Sequence, residues 1–484
     1  MEKIINMPKQ YISDIIDLSE IRKWKDGDRI LIHSQTGTGK SQFIKDTLYE
    51  YCKRADKKIL LLSNRNLLKS QNQEEISDIK SKIITLKNYQ ALETNVLLGG
   101  DIKSLFSDYD YICFDEVHYL MSDSSFNGNT DILLSSLKFP LKDKISLFLT
   151  ATPEAIFKYN KRFEHSYILE KNYSFIENLY FYNKDEMVET IIDNIPKDEK
   201  ILYFGNALDG YEFSIDRPDA EFICSDNNKF FRRRSSQSAV KEIVTKNEFS
   251  CRILFSTKVL DNGVNIISSS LKHIIIDMVD PIDVIQCLGR KRIIEDEKTN
   301  LYIKNQNGRN IYPRLKDVRD TLKLVEEFRK LGKEEFQKKY ARQQIDSVIM
   351  NDGEINWAKL YHAKYLEGIF SIMMKDSNGY ENSIKKLLGI DKTLYAEDVF
   401  ERKNLLDILE DYTEKRLYRE DQEEFKNIFF SNIFNFNRKV DVKHRGIVCI
   451  NSILEEDKLP FRLTSIRDRK GVNRDKTYWF LIKP

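Results

Sequence analysis

The sequence has few prolines, few glycines and no long hydrophobic run. Its 484 residues include 9 prolines and 18 glycines, and no low-complexity linker is found. The longest apolar runs, such as residues 59–62, fall far short of the roughly 20 residues that span a bilayer. Residues 1–17 lack the apolar core of a signal peptide. We therefore expect a cytoplasmic protein with no membrane partner.

The sequence also lacks paired cysteines and an excess of charge of one sign. No two of the six cysteines lie within three residues of each other, which excludes a CxxC redox pair and favours reduced cytosolic thiols. The 78 Lys and Arg residues nearly balance the 76 Asp and Glu residues, so a surface that binds a polyanion must be local. With 41% hydrophobic residues, the chain can build packed cores in roughly two to four domains.

Short apolar runs alternate with helix-length segments up to about residue 312, which predicts parallel α/β sheets. The first series of runs comprises residues 30–32, 58–62, 82–86, 109–114 and 145–149. The second series comprises residues 201–204, 221–224, 252–255, 273–276 and 301–303. After Pro313, apolar residues recur at three- and four-residue spacing, which indicates helices. The last 47 residues, from Arg438, carry 12 Lys and Arg against 6 Asp and Glu.

These patterns predict an α/β fold with two tandem parallel-sheet domains, a mostly helical C-terminal region and a small basic α+β module at the end. We expect the sheet domains at residues 1–170 and 171–312, and a helical accessory domain at 313–437. The basic module at 438–484, α+β or winged-helix-like, is a candidate nucleic-acid contact, because basic and aromatic residues alternate there. Core packing is the alternative role for its Trp479 and Phe480.

A phosphate-binding loop follows the first apolar run. Residues 34–41 read Ser-Gln-Thr-Gly-Thr-Gly-Lys-Ser, a form of G-x-x-x-x-G-K-[ST] in which serine replaces the first glycine. Backbone N–H groups at the start of a helix cradle phosphates, so we expect Thr36, Gly37, Thr38 and Gly39 to bind ATP. Lys40 would reach the β- and γ-phosphates, and the Ser41 hydroxyl would bind Mg²⁺. A chance glycine-rich turn is the alternative.

Two carboxylates end the fourth apolar run. Asp115 at the strand tip is suited to hold Mg²⁺, and Glu116 to orient or deprotonate the attacking water. An isolated Asp-Glu pair is weak evidence, because strand ends often carry acidic residues. Together with the phosphate loop upstream, the pair predicts an ATP hydrolysis site. His118 completes the sequence Asp-Glu-Val-His.

Residues 115–118 resemble motif II of the DExH helicases of superfamily 2, and other segments resemble the remaining motifs in the correct order. The match covers roughly residues 25 to 305. Residues 122–131 also resemble helicase-like proteins of phages and mobile elements of low-GC bacteria. The other motif-like segments are residues 63–66 (Ia), 85–90 (before motif II), 150–153 (III), 204–206 (IV), 256–259 with 263–266 (V) and 286–292 (VI).

The resemblance implies two RecA-like domains with ATP between them. Gln286 would sense the nucleotide or its attacking water, and Gly263 and Asn265 would lie at the nucleotide, with Asn265 bonding the ribose. His118, Thr150 and Thr152 would couple the ATP site to the strand path, where Arg65, Lys87 and Thr257 would contact the nucleic-acid backbone. Arg290 and Arg292 are alternative arginine fingers, because Ile293 stands where the family's second arginine usually falls. Asn265 replaces a common Asp, and no adenine-reading segment precedes the phosphate loop.

The sequence therefore favours an ATP-driven helicase or translocase, with DNA preferred to RNA on the mobile-element resemblance alone. A protein loader or complex partner is a further expectation. The alternative is a nucleic-acid-binding ATPase clamp that does not itself unwind, within a replication or defence complex. An initiator or loader ATPase is disfavoured, because motifs V and VI lie on a second α/β unit.

Overall fold

The computed structural model describes most of the chain in two compact units. The described ranges are residues 2–5, 11–63, 80–125, 127–136, 141–154, 156, 162–226, 228–261, 264–294, 296–341, 346–350, 353–433, 446–469 and 473–483. The first unit comprises residues 1–179 and 197–392. The second unit comprises residues 180–196 and 393–484.

Strands provide the framework of both units. The strands are β1 (Glu2–Ile5), β2 (Arg29–His33), β3 (Ile59–Ser63), β4 (Ile84–Asn88), β5 (Tyr111–Asp115), β6 (Ile145–Thr150), β7 (His165–Leu169), β8 (Ile176–Tyr182), β9 (Lys200–Phe204), β10 (Ala220–Ile223), β11 (Ile253–Ser256), β12 (Leu271–Ile276), β13 (Thr299–Lys304), β14 (Leu394–Tyr395), β15 (Arg416–Leu417), β16 (Arg462–Arg467) and β17 (Thr477–Ile482).

Helices separate most of the strands, and a π-helical segment joins α3 to α4. The α-helices are α1 (Ile12–Ile15), α2 (Leu18–Ile21), α3 (Lys40–Phe43), α4 (Tyr49–Ala55), α5 (Tyr89–Leu97), α6 (Ile102–Phe106), α7 (Tyr119–Ser122), α8 (Thr130–Ser136), α9 (Met187–Asn194), α10 (Ala207–Ile215), α11 (Gln237–Lys246), α12 (Pro281–Leu288), α13 (Gly308–Leu331), α14 (Lys333–Tyr340), α15 (Trp357–Met373), α16 (Gly379–Leu388), α17 (Arg402–Tyr412), α18 (Arg419–Ile433) and α19 (Ile447–Glu456).

The first sheet is parallel, with strand order β1-β7-β2-β6-β5-β3-β4. Three of its inner strands, β3, β5 and β6, are mostly apolar and buried along their whole length, as helices on both faces require. Neighbouring side chains point to opposite faces, so Ile30 and Ile32 join one apolar cluster and Leu31 joins another. Because all strands run the same way, their carboxyl ends meet at one edge, where α/β sheets bind ligands.

The second sheet repeats this arrangement. Within the first unit its strands run in the order β10-β11-β9-β12-β13-β8. The pairs among β10, β11, β9, β12 and β13 are parallel. β8 continues into the second unit, where Tyr180 and Phe181 pair in parallel with β14.

Helix α15 packs against both sheet domains of the first unit. At its start, the Asn356 side chain donates to the carbonyl of Gly128 (2.9 Å), and the Ala358 amide donates to Asp131 (3.0 Å). Farther along, the Tyr365 hydroxyl donates to Asp280 (3.2 Å), which caps helix α12 of the second sheet domain. A single apolar cluster contains Ala358, Tyr365, core residues of the first sheet domain and Ile282 of the second.

The C-terminal module of the second unit combines α17, α18 and α19 with an antiparallel sheet of order β15-β17-β16. This order of elements (helix, strand, two helices, two strands) is the winged-helix topology. One hydrophobic core runs from Leu405 in α17 to Leu481 in β17, so it uses residues on both sides of position 438.

The predicted fold class is confirmed. The chain has two parallel-sheet α/β domains, a helical region after them and a small antiparallel sheet near its end. All ten predicted apolar runs overlap strands. The helical region begins with α13 at Gly308, upstream of Pro313, which lies inside that helix. Within the described residues, no helix is long and apolar enough to cross a membrane.

Candidate ATP site and strand path

The phosphate loop connects the end of β2 to the start of α3. Gly37 (φ +90°) and Gly39 (φ +79°) both adopt left-handed backbone conformations, which glycine reaches without strain. The loop therefore needs glycine at both positions. The Lys40 ammonium donates to the carbonyls of Ser34 (3.0 Å) and Gln35 (3.1 Å) and spans the mouth of the loop.

Lys40 is buried, and burial lowers the pKa of its ammonium. The nearby carboxylates of Glu116 and Asp115 act in the opposite direction and favour the charged form. A cation held out of water interacts more strongly with phosphate than an exposed lysine does, because the effective dielectric constant is lower.

Ser41 and Asp115 lie together, as the sequence predicts for Mg²⁺ ligands. The Ser41 hydroxyl, in the first turn of α3, donates to a carboxylate oxygen of Asp115, at the end of β5, at 2.8 Å. Adjacent ligands of an octahedral Mg²⁺, with bonds of about 2.1 Å, lie roughly 3 Å apart. The hydroxyl and the carboxylate oxygen therefore fit neighbouring positions around one ion.

Glu116 has an unusual backbone conformation for a residue other than glycine. Its φ of +50° lies in the left-handed region, which costs on the order of 1–3 kcal/mol and is concentrated at functional sites. Its carboxylate lies 3.4 Å from His118 Nδ1. Burial lowers the pKa of His118, so the neutral imidazole is favoured near pH 7.

A chain of hydrogen bonds runs from His118 to the second sheet domain. His118 Nδ1 lies 3.2 Å from the Thr150 hydroxyl, which also accepts from the Thr152 amide (3.0 Å). The Thr152 hydroxyl accepts from the Gln286 side chain (3.3 Å). Arg290 continues the chain, donating to the Gln286 carbonyl (2.9 Å) and side-chain oxygen (3.2 Å).

The two arginines of residues 286–292 have different surroundings. Arg290 is buried and also donates to the carbonyl of Val264 (3.4 Å), a hydrogen bond within the second sheet domain. Arg292 donates to the Asn265 side chain at 2.7 Å. Its guanidinium lies 3.1 Å from the point where a Cβ atom on Gly37 would be, directly beside the phosphate loop.

Gly289 brings the second sheet domain against the same loop. A Cβ atom on Gly289 would lie 2.2 Å from the Thr36 hydroxyl, so a larger residue would push the loop away. The structure thus brings together predicted residues of both domains. From the first domain these are Thr36, Gly37, Thr38, Gly39, Lys40, Ser41, Asp115, Glu116, His118, Thr150 and Thr152, and from the second Asn265, Gln286, Arg290 and Arg292.

Four other predicted residues do not join this group. Arg65 and Gly263 lie outside the described residues. Lys87 lies near the end of β4, the edge strand of the first sheet, paired with Leu62. Thr257 follows β11, and its amide donates to the carbonyl of Ile223 (3.2 Å).

Thr257 lines a cavity of about 1380 Å³ in the first unit. Its wall includes His118 and Gln286 of the hydrogen-bonded chain, together with Arg314 and Phe370 from the helices after the second sheet. Six of the described lining residues are Asp, against three Lys or Arg. A nucleic-acid strand in this cavity would therefore meet a wall with little net attraction for phosphate.

Sequence reasoning missed Tyr89 and Asp280. The Tyr89 hydroxyl donates to the Asp115 carbonyl (2.9 Å) and its ring stacks on Tyr119, which fixes the end of β5. Burial and the neighbouring Asp283 raise the pKa of Asp280 to about 7. A tyrosine at the start of a helix and an Asp-Pro helix start are ordinary features, so neither residue carried a signal of its own.

Residues 3–155 match the family model described as type III restriction enzyme, res subunit. This segment holds the phosphate loop, Asp115 and Glu116, and the match supports the superfamily 2 helicase resemblance for this part of the chain. No curated protein matches the chain in sequence.

Solved helicase structures resemble the chain at low identity. S. cerevisiae Dbp5 bound to RNA and ADP BeF3 is 14% identical with a TM-score of 0.42, covering 66% of this chain and 84% of that chain. The DEAD-box helicase Mss116 bound to ssRNA and UDP-BeF is 15% identical with a TM-score of 0.45, and the match covers 65% of this chain and 73% of that chain. Escherichia coli DEAH/RHA helicase HrpB is 12% identical with a TM-score of 0.44, and the match covers 76% of this chain and 51% of that chain. The fold assignment itself rests on the strand order and register of this chain.

Proposed function

We propose that this protein is a nucleic-acid-dependent ATPase of the DExH helicase type, which couples ATP hydrolysis to movement along nucleic acid or to its unwinding. The observation that carries the proposal is the hydrogen-bonded chain from His118, beside Glu116, to Arg290. Two of its members, His118 and Gln286, also line the large cavity. A strand in that cavity would touch the groups that connect the two sheet domains at the ATP site.

The residues divide the work of hydrolysis. Backbone amides of the phosphate loop and the Lys40 ammonium bind the phosphates, and Ser41 and Asp115 would hold Mg²⁺, which neutralises phosphate charge when bound. Glu116 orients and deprotonates the attacking water, held in place by its strained backbone and by His118. Arg292 stabilises the negative charge that develops on the transferred phosphoryl group.

We propose DNA as the preferred track. The description of the matching family model names a restriction enzyme, which favours DNA, whereas two of the similar solved structures contain RNA. Cytoplasmic location and a protein loader are part of the same proposal. The alternative is an ATPase clamp that binds nucleic acid without unwinding it.

The test is the ATPase rate of the full chain alone and with single-stranded DNA, duplex DNA, single-stranded RNA or duplex RNA. We expect DNA to raise the rate at least about tenfold, because strand contacts complete the site across the two domains. Strand displacement on a partial duplex then separates a helicase from a clamp. A rate that no nucleic acid changes would contradict the proposal.

Arg292→Ala should lower kcat for ATP hydrolysis by about 10²–10³-fold without lowering Tm, because the Arg292 guanidinium lies beside Gly37. Arg290→Ala should instead lower Tm, because it leaves the acceptors on Gln286 and Val264 without this buried donor. Arg309→Ala, an exposed arginine at the start of α13, is the matched control. A wild-type kcat in Arg292→Ala would contradict the assignment of Arg292 as the arginine finger.

A further inference from the structure

The β16–β17 hairpin of the second unit carries a concentration of exposed positive charge. Among its described residues, the exposed basic ones are Arg462, Arg467, Arg469, Arg474 and Lys476. Of the two acidic residues in the same stretch, Asp468 is buried and accepts from Arg416 (3.2 Å) and Tyr418 (2.8 Å). The outward surface of the hairpin is therefore strongly cationic.

The helices of the same module have the opposite charge. α18 has four acidic residues against two basic ones, and α19 has two acidic residues and no Lys or Arg. Exposed side chains of α19 include Val448, Ser452, Glu455 and Glu456. A phosphate backbone would be repelled by α19 and attracted by the hairpin.

The basic side chains of the hairpin form only weak ion pairs within the protein. Arg467 and Arg474 pair with Asp475 at 3.3 and 3.9 Å, and all three side chains are mostly exposed. Exposed ion pairs of this kind contribute about 0–1 kcal/mol, so a phosphate can replace Asp475 at small cost. Among the described residues, neither Arg462 nor Arg469 has an ion-pair partner.

The described aromatic residues of the hairpin are buried or half-buried, and none of them is fully exposed. Tyr478 is buried and packs against Phe480 and Tyr418. Trp479 packs on the core of the module and lies near Lys426. Unpaired bases bind by stacking on exposed aromatic rings, whereas duplex DNA presents the denser phosphate charge.

We propose that the β16–β17 hairpin, rather than helix α19, binds the phosphate backbone of a nucleic-acid duplex. The site deepens the proposed function by naming a duplex contact separate from the ATP site. The sequence predicts a nucleic-acid contact somewhere in residues 438–484, and this proposal assigns that contact to the β16–β17 hairpin.

The test uses the full chain, a short DNA duplex and fluorescence anisotropy between 50 and 200 mM salt, without nucleotide. Arg469→Glu with Arg474→Glu should raise Kd at least about tenfold and reduce the slope of log K against log salt by about 1.8, because each lost duplex phosphate contact removes about 0.9. Lys330→Glu with Lys338→Glu removes the same charge from α13 and α14 and should change Kd less than twofold. Val448→Glu, on the exposed face of α19, should also have a small effect.

The outcomes separate this inference from the proposed function. An unchanged Kd in the hairpin variant, or a tenfold loss in Val448→Glu, would overturn the hairpin site whatever the ATPase result. An equal loss with single-stranded DNA would overturn the duplex preference. Conversely, weaker duplex binding in a protein whose ATPase ignores nucleic acid would support the hairpin and contradict the motor. Circular dichroism melting of each variant checks that the module remains folded.

Discussion

Lys40→Ala should lower the rate of ATP hydrolysis by at least about 100-fold. The substitution removes the buried ammonium that spans the phosphate loop and leaves the carbonyls of Ser34 and Gln35 without this donor. It also removes the positive charge that the proposed mechanism places on the β- and γ-phosphates, where such electrostatic contacts act most strongly. The measurement is steady-state ATPase activity under the nucleic-acid condition that stimulates the wild type most.

Lys53→Ala is the matched control for Lys40, because Lys53 is an exposed lysine on α4, farther along the same helical segment. It should hydrolyse ATP at the wild-type rate. Thermal melting of both variants separates a lost contact from a lost fold. Hydrolysis by Lys40→Ala at more than about a tenth of the wild-type rate would show that the ATP site lies elsewhere.

Glu116→Gln should lower kcat by about 10²–10³-fold while leaving ATP and nucleic-acid binding intact. Glutamine keeps the size of the side chain and can adopt the same left-handed backbone, but it cannot accept a proton from the attacking water. The protein should therefore accumulate with ATP bound and still hold nucleic acid. Single-turnover hydrolysis and anisotropy with labelled DNA measure the two effects separately.

Glu177→Gln, on an exposed position of β8, is the control for the Glu116 experiment. It should match the wild type in both measurements. A Glu116→Gln protein that hydrolyses ATP normally would remove Glu116 from the proposed mechanism. Loss of DNA binding in the same variant would contradict the separation between binding groups and the water-activating group.

Much of the fold could be predicted because it depends on local apolar pattern. Runs such as residues 59–62 are buried throughout in the structure, and a short continuous aliphatic run between polar segments indicates such a strand by its length and its flanking residues. β1 and β7 were not predicted as strands, because Glu2–Ile5 and His165–Leu169 mix charged or polar residues with apolar ones. β15 has two residues, too few to produce any pattern.

The candidate site was predictable where residues are close in sequence, as in the phosphate loop. Contacts between distant segments were not. The ribose contact of Asn265 remains a prediction, whereas the hydrogen bond that its side chain accepts from Arg292 had no signal in the sequence. The two residues are 27 positions apart and meet only in the folded domain. The choice between Arg290 and Arg292 likewise depends on which guanidinium faces Gly37, a property that spacing does not contain.

Helix α15 also links the two sheet domains of the first unit, in addition to the contact of Gly289 with Thr36 and the hydrogen bond from Gln286 to Thr152. If the α15 contacts persist while nucleotide enters or leaves, the cleft at the phosphate loop would widen by rotation of one sheet domain relative to the other, with α15 as the hinge. The displacement between the two sheet domains would then be largest at the phosphate loop and smallest at Tyr365. The length of a step along a strand would follow from the distance between the strand and this axis.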